Sequence, residues 1–124
     1  MSPVKRALAG EHLAFSLSAQ IEELRNDESY LRSGRMGRTL VKSGPLRITL
    51  TLIADGVEVG THHAETPMTL QVLEGGLQYR VQGGDRELEE GQLLFFGPGH
   101  ARGIRAVGNT ALLLTIVGAE APDM

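Results

Sequence analysis

Residues 60–76 read GTHHAETPMTLQVLEGG, and the reading of this stretch decides the fold. Two adjacent histidines, His62 and His63, precede an apolar run that begins behind Pro67 and ends in Val72-Leu73-Glu74 before Gly75-Gly76. Consecutive side chains of an extended segment point to opposite faces, so only one of the two histidines looks inward, and the sequence leaves open which. Residues 91–103, GQLLFFGPGHARG, form a second block: a short apolar run, a Pro/Gly turn, then His100 and Arg102.

Outward from these blocks the chain alternates in period two from Arg38 onward. Thr39–Val41, Leu46–Ala54, Val57–Val59, Met68–Leu73, Leu77–Val81, Arg86–Leu88, Leu93–Phe96, Ile104–Val107 and Ala111–Val117 read as strands. Turn signals separate them at Ser43-Gly44-Pro45, Asp55-Gly56, Gly75-Gly76, Gly83-Gly84-Asp85 and Glu90-Gly91. Many short strands with frequent turns predict an all-β protein, a jelly-roll barrel or sandwich. Leu46, Ile48, Leu50 and Leu52 share one face of their strand, and Arg47, Thr49 and Thr51 share the other. Leu50, Leu52, Met68, Leu70, Val72, Phe95 and Leu113 are expected to fill the barrel. Before the strands, Leu17, Ile21 and Leu24 recur at helical spacing, predicting a short helix from Ser18 to Arg25 with Ser18 as its cap. Asn26–Gly37 reads as a connection. The organisation expected is a tail, helix and connection over 1–37, one barrel domain over 38–118, and a loose tail over 119–124.

The two blocks together resemble the paired motifs of the cupins, over roughly Arg38 to Val117. The resemblance implies a cupin-type jelly-roll of the RmlC-like kind, in which the two motifs face one another and three histidines with a glutamate or glutamine hold a divalent metal. That metal would be iron, manganese, nickel, copper or zinc. Carried over residue by residue, the glutamate slot falls at Met68, and Gln71 is the nearest polar residue, on the opposite strand face unless the strand bulges. In the second motif the usual histidine slot holds Arg102, and His100 comes two residues early. The candidate metal ligands are His62, His63, Gln71 and His100. The candidate ligand-binding residues are His62, Gln71, His100 and Arg102. A guanidinium suits a carboxylate or phosphate, so an anion can take the place of the metal as the charged guest. The functional reading is a cupin that binds a small, anionic organic molecule in its barrel. The alternatives are a metal-dependent cupin enzyme of the oxygenase or isomerase type and an interaction module with a filled barrel. No catalytic residue is assigned.

Composition narrows the remaining classes. There is no cysteine, hence no disulfide and no thiolate site, which fits a reducing, cytoplasmic setting. The longest apolar stretch, Ala111–Val117, is far short of the roughly 20 residues that a membrane span needs. Arg32, Arg35, Arg38, Lys42 and Arg47 follow one another without an intervening acid, although the chain carries a net charge of -3. No aromatics interleave them and no recognition motif is present, so no nucleic-acid partner is expected. GPGHARG lacks the following helix that a phosphate loop needs. Glu89-Glu90 sits at a solvated turn, and no serine has a nucleophile-elbow context. A homodimer is expected, both from the resemblance and from Leu40 and Val41 on an edge strand.

Overall fold

The computed structural model describes residues 8–60, 66–81, 83–97 and 103–118. Helices α1 (Leu17–Arg25) and α2 (Glu28–Ser33) precede strands β1 (Arg35–Ser43), β2 (Leu46–Ile53), β3 (Glu58–Gly60), β4 (Met68–Val81), β5 (Gly84–Glu89), β6 (Leu93–Phe96) and β7 (Gly103–Val117). All strand pairings among the described residues are antiparallel.

Strands β4 and β7 are the long members, and they run beside each other through both layers of the fold. One layer is ordered β1-β2-β7-β4-β6 and uses the first part of β4 and the last part of β7. The other is ordered β3-β7-β4-β5 and uses the remainder of each. Where the sequence predicts two strands and a turn around Gly75-Gly76, β4 is continuous. It changes register against β7 between Val72 and Glu74 and again between Glu74 and Gly76. Gly75 there has φ +77°, a conformation that costs residues with a Cβ. A bulge bends a strand without ending it, so the Gly-Gly signal marks the fold in the strand and not its terminus.

Between the layers lies a core of Ile53, Met68, Leu70, Val72, Leu77, Leu88, Phe96, Ile104, Ala106, Leu112, Leu114 and Ile116. A second apolar cluster lies outside the sandwich. Ile21, Leu24 and Tyr30 of the helices cover Leu40, Leu50, Leu52 and Ala111 on the outer face of the first layer. Helix α1 starts at Leu17, capped by the Ser16 side chain and not by Ser18, because Ser16 Oγ accepts from Ala19 N. The expected connection 26–37 contains α2, which Asp27 caps by accepting from Ser29 N at 2.8 Å and Gly34 closes at φ 78°. Six residues are too few to show a helical period, although both capping residues are plain in the sequence. Strand β1 follows at once, so the sheet begins at Arg35.

The expected barrel filling divides accordingly. Met68, Leu70 and Val72 are inside. Leu50 and Leu52 are buried, but beneath the helices. Leu113 is half-buried on that same outer side, and Phe95 is exposed on it.

Candidate functional site

Strand β2 carries its apolar face outward. Because α1 and α2 cover Leu50 and Leu52, the alternate residues Arg47, Thr49 and Thr51 face the interior, in register with Ile116, Leu114 and Leu112 of β7. Strand β1 extends the same wall: Arg35 pairs with Ile53, Gly37 with Thr51 and Thr39 with Thr49. Arg35, Met36, Gly37, Thr39, Arg47, Thr49 and Thr51 line a cavity of about 460 Å³ together with Val59, Gly60 and Ile116. Gly37 adds room to it. A Cβ there would stand 3.6 Å from Thr51 Oγ1 and 3.7 Å from Thr49 Cγ2, so its absence leaves space over both threonines.

The wall is chemically one-sided. Arg47 and Arg35 bring fixed positive charge at either end, and Thr39, Thr49 and Thr51 bring hydroxyls between them. The Nε of Arg47 is shielded from solvent. Guanidinium and hydroxyl groups can all donate to a carboxylate or phosphate, and charge-assisted bonds of this kind are the strong ones. Beside this wall the same layer continues with apolar side chains on β7, β4 and β6, and from the other layer Val59 and Gly60 of β3 complete the lining. A few polar groups among apolar lining is the usual make-up of a small-molecule site.

A second hollow, of about 550 Å³, lies among β3, β4, β5 and β7. Its charges are mixed. Glu58 is in register with Arg105, and Arg80 Nε pairs with Asp85 Oδ1 at 3.1 Å on the surface. It favours neither sign of ligand.

The residues singled out in the sequence fare differently. His62, His63, His100 and Arg102 lie outside the described residues, so the structure does not test them. Gln71 is described. The register of β4 against β6 and β7 is unbroken from Met68 to Val72, so no bulge turns Gln71 inward. It stands on the outer face in register with Leu93 and Leu113, away from the candidate cavity. Met68, in the slot where the resemblance places a glutamate, faces inward and is buried. Among the described residues no group of three His, Asp or Glu is placed to hold a metal ion. The described inner face, with arginines, hydroxyls and a thioether, does not fit a divalent cation, whose preferred donors are imidazole, thiolate and carboxylate.

Arg35, Thr39, Arg47, Thr49 and Thr51 were not singled out as site residues. Their alternation with Ile48, Leu50 and Leu52 was visible. Which face turns inward was not, because it depends on a helix packing over the leucines.

The sequence matches no protein-family model and no curated protein. Solved structures do resemble it. A cupin-2 domain containing protein from Shewanella frigidimarina superposes with a TM-score of 0.66, covering 84% of this chain and 94% of that one at 16% identity. This chain has the cupin fold. The Cupin_2 domain of an XRE family transcriptional regulator from Enterobacter cloacae gives a TM-score of 0.61 over 73% of this chain and all of that domain, at 16% identity. A conserved Streptococcus pyogenes protein of unknown function reaches 28% identity over 70% of this chain and 76% of its own, with a TM-score of 0.61.

Proposed function

We infer that this cupin binds a small organic anion in the cavity between its layers. The supporting observation is the polar wall: Arg47 and Arg35 with three threonine hydroxyls, together with the apolar Val59 and Ile116, around about 460 Å³ of space. The likeness to a regulator's cupin domain concerns the fold alone, and the reading rests on the wall. A carboxylate or phosphate is held by the arginines and hydroxyls, and its carbon skeleton lies against Ile116 and its neighbours. Arg102, one residue before Gly103 in the chain, is a further candidate for the same anion.

The experiment is a thermal-shift screen with small carboxylates and sugar phosphates, followed by calorimetric titration of each hit against Arg47→Met and Arg102→Ala. At least one acid is expected to stabilise the parent protein, with affinity reduced about tenfold or more in Arg47→Met, the loss of one charge-assisted contact. Absence of any stabilising acid, or undiminished affinity in Arg47→Met, removes the reading.

A further inference from the structure

The two arginines of the cavity stand at opposite ends of its polar wall. Arg35 lies opposite Ile53, and Arg47 precedes Ile53 by six positions on β2. At about 3.3 Å per residue their backbones are roughly 20 Å apart. The rows between them pair Thr39 with Thr49 and Gly37 with Thr51, so charge sits at the ends and hydroxyls in the middle. We propose that the guest is a hydroxylated dicarboxylate, its two acids held by Arg47 and Arg35 and its hydroxyls by the threonines. This rests on the anion reading above and narrows it to one class.

The spacing admits such a molecule. Five bonds of about 1.5 Å carry a guanidinium carbon roughly 6 Å from its own Cα. The two guanidinium groups are therefore about 8 Å apart when they lean together and about 20 Å apart when they stand upright. With about 4 Å taken by the charge-assisted contact at each end, the carboxyl carbons of a bridging guest are separated by up to about 12 Å. A six-carbon diacid spans about 6 Å, the middle of that range. A monocarboxylate of the same length engages one arginine at a time.

The middle of the wall selects among diacids. Thr39, Thr49 and Thr51 are half-buried, and the missing Cβ of Gly37 leaves room over Thr49 and Thr51. A threonine hydroxyl both donates and accepts, so it pairs with a ligand hydroxyl in either sense. A plain methylene chain would displace water from these groups and return no hydrogen bond, and sites whose polar groups are left unpaired reject such analogues. No acid is among the described residues that line the cavity, so neither carboxylate meets like charge from them. Arg47 is half-buried and Arg35 exposed. Arg47 is thus the anchor for any anion, and Arg35 at the rim is the residue that selects for a second acid.

The test is calorimetric titration of the full chain, at fixed ionic strength, with three six-carbon probes. Glucarate has two carboxylates on a hydroxylated chain, gluconate has one carboxylate on a hydroxylated chain, and adipate has two carboxylates on a plain chain. Glucarate is expected to bind about fivefold or more tighter than gluconate, a gain limited by the exposure of Arg35, and about tenfold or more tighter than adipate. Arg35→Met should abolish the preference over gluconate, whereas Arg47→Met should weaken both ligands. Thr51→Val should remove most of the preference over adipate. Circular dichroism checks that each variant folds, and Arg35→Gln serves if Arg35→Met does not. Equal affinity for glucarate and gluconate, a preference that survives the loss of Arg35, or no preference over adipate overturns the proposal. In each of these cases the anion reading stands as long as Arg47→Met weakens binding. If none of the three probes binds, the proposal falls, and the anion reading falls with it only when no other small acid stabilises the protein.

Discussion

Arg25, on the last turn of α1, donates through Nη2 to Glu74 Oε1 of β4 at 2.6 Å, across 49 positions of sequence. The pair fastens the end of the helix to the strand at the point where β4 shifts register against β7. Both side chains are about 40% exposed, so solvent screens most of their attraction. Glu74→Gln is expected to cost only about 0.5 kcal/mol in chemical denaturation, and less at high salt. A loss above about 2 kcal/mol would mean that the bend itself depends on the pair.

The helix is held by burial instead. Leu24 is fully buried among Leu40, Leu50, Leu52 and Ala111. Leu24→Ala should lower unfolding stability by about 2–5 kcal/mol, the range for a large core deletion. A loss below about 1 kcal/mol would show that α1 is an ornament on a sheet that stands without it.

Gly75 should resist any side chain. Its φ of +77° is unfavourable for other residues, and a Cβ would meet Thr110 Oγ1 at 2.7 Å and Asn109 O closer still. Gly75→Ala is expected to destabilise by at least about 2 kcal/mol, combining backbone strain with steric displacement. An unchanged melting temperature would contradict the bend as described.

Thr110 is the buried polar residue of this bend. Its hydroxyl donates to Gly76 O at 2.7 Å and lies 3.3 Å from Gly76 N. Replacement by the near-isosteric Val should cost about 1–3 kcal/mol, since the Gly76 carbonyl loses a partner in a part-buried site. Thr110→Ser should retain most of that, and equal losses in Ser and Val variants would point to methyl packing instead.

Metal analysis gives a separate check on the interior. With Gln71 outside and Met68 in the glutamate slot, any divalent ion depends on His62, His63 and His100. Elemental analysis of protein purified without chelator is expected to show well under one equivalent of iron, manganese, nickel, copper or zinc. One full equivalent, lost in His62→Ala, would restore the metal-dependent reading.

Much of the sandwich was legible because its signals are local. Leu46–Ile53 alternates over enough residues to show its period, Leu93–Phe96 is a short apolar run between turn signals, and Asp55-Gly56 and Glu90-Gly91 mark turns that the structure contains. The joins at Gly75-Gly76 and Gly108 were read as breaks, since a bend held by Thr110 and a turn use the same glycines. Asp55 Oδ1 accepts from Gly108 N at 2.7 Å and the Asp55 backbone N donates to Asn109 Oδ1, a pairing across the fold that no local pattern announces. The candidate site was least legible. Its residues are ordinary threonines and arginines, and their meaning comes from the side of the sheet that α1 and α2 cover.

The inverted face of β2 has an evolutionary consequence. Along Arg47–Leu52 the residues that anchor the fold and the residues that line the cavity take turns, one by one. Positions 47, 49 and 51 can therefore vary while Leu50 and Leu52 stay under their helices, so the lining of the cavity can change without a new scaffold.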